Sequence, residues 1–414
     1  MVERFPKTKR PLFINHANKV MKFPFAMCDD EDHETKPDIV VSIPKLQHLA
    51  PRDRWRNVAF IFEAKGTSGD DPMRKHTLRH EETLVQLAIS ARNIMLAQGR
   101  LYAFTIGIYG HKARIFRFDR AGAVCSPSFD YILRPDVLYN FMWRFIHPID
   151  KRCALLGDDP TSTLGTSNDR ALVRAFAKKH DPSYKHTAEI QKAVRRITLT
   201  DDAGNERCYL VYKLLFLNSR LFSRATTVWQ AVELDEMGKT VGEPVVIKEA
   251  WRQFLRTSEI RHYQDMHEAV DAAAEDAALS LSHIAEFSHG DDLGLRETKQ
   301  LFRDGCATST VDDTSFSGSV DDLDEDEINK FRFPPANVFG HRTVSASCRP
   351  TAGPEHDRSH VRIVLKTVGK PITDFDSTYE MVTALRDAII GTSTRCLFVK
   401  GMLMRCHTMS SDRS

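Results

Sequence analysis

The chain has 414 residues, 42% of them hydrophobic, which is enough for two or three domains with separate cores and excludes a chain disordered throughout. Fifty-eight Lys and Arg against 56 Asp and Glu leave a net charge of +2, so no whole-molecule field attracts nucleic acid and any such contact must come from a local patch. Its eight cysteines include no pair at two-residue spacing, which argues against zinc ribbons and a disulfide framework and for a reducing compartment.

The start, Met1-Val2-Glu3-Arg4, has no apolar stretch before its first charges, so no secretory leader is expected, and no run reaches transmembrane length. No membrane contact is expected, and the expected location is cytoplasm or nucleus. Lys7-Thr8-Lys9-Arg10 has the size of a nuclear address, but such clusters are common on solvated faces and that plainer reading is preferred.

In chain order, residues 1–29 read as an N-terminal extension. Asp38 to Ile43 and Asn57 to Phe62 are runs of Val, Ile and Phe bounded by Pro or charge, which predicts strands. Arg79 to Gln98 places Leu84, Leu87, Ala88, Ala91, Ile94 and Met95 on one helical face. Leu101 to Tyr109 and Ala113 to Phe118 return to strand chemistry, and Pro135 opens an aromatic-rich helix over Asp136 to Ile146. Residues 30–155 thus read as one α/β domain, and the polar stretch 156–187 as a linker or surface helix pair. Strands are predicted over Ala188 to Thr200, Arg207 to Leu217, Thr226 to Glu233 and Pro244 to Lys248. Helix follows over Arg252 to Ala285, completing a second domain over 188–303. Residues 304–332 are acidic, rich in Ser, Thr and Gly and poor in apolar anchors, the composition of a disordered insertion. Within 333–414, a strand over Val361 to Val368 and a helix over Ser377 to Ile390 are predicted.

Two constellations carry chemistry. Asp38 opens one strand and Glu63 nearly ends the next, and Lys65, two residues on, shares a face with Glu63. Two carboxylates can hold Mg²⁺, and a lysine beside them can orient or deprotonate a water that attacks a phosphodiester. Gln86 on the following helix is the fourth member. This Asp, Glu-x-Lys and Gln order, on strand, strand, helix and strand, resembles the PD-(D/E)XK nuclease superfamily. The resemblance implies Asp38 and Glu63 as Mg²⁺ ligands and Lys65 as the catalytic residue. The plainer reading is a charged strand end without chemistry.

The second constellation is Val245-Val246-Ile247-Lys248, an apolar strand delivering one lysine, with Glu259 in the next helix placed to pair with it. Such a lysine reaches the α and β phosphates of ATP. No glycine stands between Asn218 and Met237, so the turn before this strand brings its amides less close to phosphate than a glycine-rich turn does. His267, His283 and His289 lack paired metal-ligand spacing and read as ordinary histidines.

Pro37-Asp38, Glu63-Ala64-Lys65, Gln86-Leu87-Ala88, Phe118-Asp119-Arg120-Ala121-Gly122, Gly157-Asp158-Asp159-Pro160, Val246-Ile247-Lys248-Glu249-Ala250-Trp251 and Val361-Arg362-Ile363-Val364-Leu365 occur in the order of the fungal-type protein kinase family. The chain resembles that family over most of residues 30–390. The resemblance implies an α+β architecture: a PD-(D/E)XK-nuclease-like α/β domain, a kinase-like N-terminal lobe and an incomplete C-terminal lobe. It implies ATP and Mg²⁺ as cofactors, with Lys248 and Glu259 in the ATP site. In the family, the helix ending here near Ile390 leads to a His-Arg-Asp loop, a metal-binding asparagine and an Asp-Phe-Gly turn. Gly391 to Ser414 contains none of these, and Asp374-Phe375-Asp376 lacks the glycine and precedes the helix. The expectation is a C-terminally truncated member, inactive as a kinase and acting through a protein partner, with Leu385 and Ile389 exposed by the truncation. The alternative is a Mg²⁺-dependent nuclease acting on nucleic acid through the N-terminal domain.

Overall fold

Backbone pairing sorts the described strands into two seven-stranded sheets and one two-stranded pair. The computed structural model describes residues 2–25, 35–47, 54–147, 156–182, 184–272, 281, 283–304, 308–309, 331–332, 340–345, 356–369 and 374–391. The first sheet runs β1 (Leu12–Asn15), β2 (Ile39–Ser42), β3 (Phe60–Lys65), β4 (Ala103–Tyr109), β5 (Lys112–Phe118) and β6 (Ala123–Cys125), with β7 (Phe129–Asp130) also paired to β5. A short α1 (Pro44–Gln47) follows β2. The β3–β4 pair is parallel, with Ile61 opposite Thr105, and α2 (Leu78–Gln98) is the crossover that a parallel pair requires. That helix stops at Gly99, whose φ of +69° is left-handed and whose added Cβ would lie 2.9 Å from Arg195 Nη1.

Successive residues of β3 point to opposite faces and build two cores. Phe60 meets Phe145 at 5.0 Å and Phe141 at 5.6 Å, both from α3 (Pro135–Ile146), in edge-on geometry. Ile61 faces the other way, packing with Val40 and Phe116 under Leu87, Ala91 and Ile94 of α2. The stretch expected as an N-terminal extension is integral to this unit. It supplies β1, and buried Phe5 lies 5.3 Å from the rings of both Tyr139 and Trp143.

The second sheet is antiparallel throughout. It contains β8 (Ser162–Leu164), β9 (Arg195–Thr200), β10 (Glu206–Leu217), β11 (Thr227–Leu234), β12 (Thr240–Gln253), β13 (Phe287–Asp292) and β16 (Arg358–Leu365), in the order β13-β16-β12-β11-β10-β9-β8. The stretch expected as a linker or surface helix pair supplies β8 and a helix, α4 (Ser167–His180). Its polar look is a capping box, in which the Thr166 and Asp169 side chains satisfy each other's backbone amides. Residues 188–200, expected as one strand, begin as α5 (Ala188–Ala193), because the Thr187 hydroxyl accepts the Ile190 amide and starts a helix before β9. Helix predicted from Arg252 begins later, as α6 (Glu259–Ala272), since β12 continues through Gln253 and the Ser258 hydroxyl caps the helix by accepting the Arg261 amide.

After α7 (Leu293–Arg303), Thr308–Ser309 (β14) pairs with Phe331–Arg332 (β15), so the ends of the predicted insertion are paired; residues 310–330 lie outside the described residues. The strand expected to follow in a separate segment is β16, which lies inside the second sheet between β12 and β13. A helix over 378–391 follows, with Leu385 and Ile389 exposed at 46% and 67%. Residues 392–414 lie outside the described residues. Among the described residues, no helix is long and apolar enough to cross a membrane, and Cys125 and Cys208 are free thiols.

Candidate functional site

Side chains of β12 alternate between two environments. Lys248, Ala250 and Arg252 border an open cleft of about 780 Å³, whereas Glu249 and Trp251 turn toward the first sheet. In the cleft, Lys248 Nζ donates to both carboxylate oxygens of Glu259 at 2.7 Å, and Arg224 Nη2 lies 3.8 Å from the same carboxylate. Arg256 and Arg358 complete a basic rim, over an apolar floor of Ala250, Val361 and Ile363. Burial first, and then the nearby Arg224 and Arg256, hold the Arg358 guanidinium below its ordinary pKa. Arg252 is committed to a buried pair, with Nε donating to Asp292 Oδ2 at 2.7 Å. The cleft therefore carries more positive than negative charge and suits a polyanion such as a nucleotide polyphosphate. Sequence reasoning had named Lys248 and Glu259 but not Arg256 or Arg358, which reach this cleft only through the fold.

The other constellation sits at the ends of β3 and α2. Lys65 Nζ donates to Glu63 Oε1 and to Gln86 Oε1, each at 2.9 Å. Asp38, just before β2, accepts the Ala64 amide through Oδ2 at 2.7 Å. Glu63 is 6% exposed, and burial raises its pKa; Lys65 pulls it back and Asp38 adds to the rise. Among the described residues, Glu63 Oε2 and Asp38 Oδ1 accept no hydrogen bond. Two such oxygens fit a hard divalent cation that keeps waters and substrate oxygens as its other ligands. Tyr109, opposite Lys65 on β4, is fully buried with an unpartnered hydroxyl. The sequence carried no signal for it, because a parallel partner is fixed by the α2 crossover.

A third cluster, on the second sheet and the segments beside it, has no motif spacing. Candidate ligand atoms of Asp159, His341 and His360 all lie within 4.8 Å of one another. Their partners, however, are protein groups. Arg362 donates to Asp159 Oδ2 at 2.5 Å and to Glu249 Oε2 at 2.8 Å, His341 Nε2 is 3.0 Å from Asp159 Oδ1, and His360 Nε2 is 3.3 Å from Glu249 Oε2. A guanidinium in the middle opposes a metal cation, so this is an ion-pair lattice. Two of the three histidines discounted from sequence have protein neighbours: His289 Nε2 lies 3.3 Å from the Tyr209 hydroxyl and His283 Nδ1 3.5 Å from Asp387.

Compared with known proteins, the chain matches the family model described as fungal protein kinase over residues 36–405, a span that takes in the second sheet and all of the first except β1. No curated protein and no solved structure matches it.

Proposed function

The chain belongs to the fungal protein kinase family, and from that premise we propose that its second sheet is a kinase-type N-terminal lobe that binds a nucleotide polyphosphate without transferring phosphate by itself. The observation that carries this reading is the bidentate Lys248–Glu259 pair at 2.7 Å, the strand-to-helix ion pair that phosphoryl-transfer lobes use to hold a lysine against the α and β phosphates. Arg224, Arg256 and Arg358 supply further donors around it, and Mg²⁺ would supply charge neutralisation between phosphate oxygens. Transfer needs a base on the acceptor hydroxyl and carboxylate or amide ligands for the metal. The 414 residues contain no His-Arg-Asp and no Asp-Phe-Gly tripeptide, which supports the reading of a lobe that binds without transfer. A silent lobe of this kind acts by binding, and the partner is proposed to be a protein.

Calorimetric titration with ATP and Mg²⁺ tests this. The wild-type chain is expected to bind, Lys248→Ala to bind about tenfold to a hundredfold more weakly, as expected for one charge-assisted contact, and neither to transfer phosphate to protein. Absence of ATP binding by the wild type would sink the reading, as would Mg²⁺-dependent transfer that Lys248→Ala abolishes.

The contact of Lys65 with both Glu63 and Gln86, beside Asp38, favours a second reading: a PD-(D/E)XK-type nuclease in which Asp38 and Glu63 hold Mg²⁺ and Lys65 positions the attacking water. On that reading the chain nicks supercoiled DNA with Mg²⁺, and Glu63→Ala and Lys65→Ala each slow nicking by about a hundredfold or more. No cleavage with either Mg²⁺ or Mn²⁺ would leave the binding lobe as the function.

A further inference from the structure

The junction between the sheets buries more positive than negative charge. Arg100, Arg120, Arg195 and Arg362 are 3%, 5%, 4% and 1% exposed. Asp159 is buried and Glu249 half-buried beside them, but Arg362 already holds both. For Arg100, one Nη1–H reaches the Ala59 carbonyl at 2.9 Å, and its nearest carboxylate is half-exposed Asp158 at 3.9 Å. Arg120 neighbours Asp119, yet that carboxylate is taken by Arg117, by the Ser345 hydroxyl and by backbone amides. Arg195 lies flat over the Trp229 ring at 4.6 Å.

Arg100 Nη2, Arg120 Nε and Nη1, and Arg195 Nε and Nη2 are all buried without a hydrogen-bond partner. The same three residues line one cavity of about 60 Å³, with Gly99, Ser162 and Glu249 among its other walls. That is room for a few waters or one tetrahedral anion. Burial lowers Arg100 and Arg120 to about 10, still charged near neutral pH. Glu249, Asp119, Asp158 and Asp159 offset this charge only through space; buried N–H donors left without an acceptor are costly, and the planar forks of these three residues match the oxygens of a phosphate-like anion. A metal cation is excluded by the same charges.

We propose that this cavity binds a single tetrahedral oxyanion of the phosphate type, held by Arg100, Arg120 and Arg195 at the junction of the two sheets. Glu249 on one side of β12 borders this cavity, while Lys248 on the other side borders the nucleotide cleft, so the two sites have separate residues.

Thermal melting of the full chain in millimolar inorganic phosphate, against chloride at matched ionic strength, tests this. The midpoint is expected to rise with phosphate and not with chloride, as a ligand that binds only the folded state requires. Arg120→Met and Arg195→Met are expected to abolish the phosphate-dependent rise while leaving the phosphate-free midpoint unchanged or higher. Arg120→Lys, a milder change should those not fold, keeps the charge but loses the fork and is expected to weaken phosphate at least tenfold. Lys248→Ala is expected to keep the rise, which separates this site from the ATP reading. Glycerol phosphate in parallel distinguishes sources: a rise with both ligands points to a phosphomonoester, and a rise with inorganic phosphate alone to the free ion. Equal stabilisation by chloride, survival of the rise in the Arg120 and Arg195 variants, or its loss in Lys248→Ala would each overturn the proposal.

Discussion

Asp159→Ala is expected to lower the stability of the chain by about 3–5 kcal/mol, the range for removing one partner of a buried ion pair. Asp159 is 4% exposed and accepts from Arg362 Nη2 at 2.5 Å, from the Thr161 amide at 2.8 Å and from the Thr161 hydroxyl at 2.6 Å, with His341 Nε2 at 3.0 Å. Deleting it removes negative charge from a junction already short of it. The pH dependence follows from the carboxyl's own shift. Burial works to raise its pKa, but Arg362 and then His341 outweigh burial and hold it well below the ordinary aspartate range. A depressed folded pKa contributes stability that is fully present above the unfolded value, about 3.9, and is lost as pH falls toward the folded one. The gap between wild type and variant should thus be full at pH 7 and narrow only below about pH 4. Guanidinium unfolding at pH 7 and again near pH 3 measures both quantities. A loss under about 1 kcal/mol at pH 7 would mean that Arg362 finds another acceptor.

The same residue shows where sequence reading stops. Periodicity placed α2 and α3, and the runs ending at Phe62 and Phe118, because each buries one face in contacts made within its own sheet. The pairing of Lys248 with Glu259 was legible for a similar reason: a strand and the helix after it lie eleven residues apart. Asp159 and Arg362 stand in segments that carry the family resemblance, but nothing in the sequence signalled that they pair. The Asp159 partners Arg362 and His341 are 203 and 182 residues away, and only the closing of β16 against β12 brings Arg362 to it. Thr166 to Asp169 left linker and helix both open for the opposite reason. A capping box is made of the same small polar residues as a linker, and only the amides that it satisfies tell the two apart. The second sheet was likewise read as ending before residue 304, because an acidic stretch separates β13 from β16 in sequence, while pairing of Gly290 with Ile363 joins them in space.

Trp251→Ala is expected to cost about 3–5 kcal/mol, the range for truncating a buried large aromatic, and to split one unfolding transition into two. Trp251 belongs to β12 of the second sheet, yet its side chain is 5% exposed within the aromatic core of the first, alongside Leu101, Tyr102 and Phe104. It also stacks on His360 at 4.8 Å with an interplanar angle of 7°. Its backbone bonds, the amide to the Arg224 carbonyl at 2.7 Å and the carbonyl accepting from Arg358 at 3.3 Å, do not depend on the indole and should persist. Each sheet keeps a core that Trp251 does not enter, one built on Ile61, Leu87 and Phe116 and the other on Ile197, Val211 and Ile247. The loss therefore falls on the coupling between the sheets and not on either sheet alone, which is why the expected signature is a second calorimetric transition as well as a lower midpoint. Trp251→Phe retains a ring against His360 and should restore most of the single transition. A single, merely lowered transition in Trp251→Ala would instead place the coupling in other contacts across the same boundary, such as the Val344 and Ser345 amides on Asp119 and the stacking of Phe118 on Phe222.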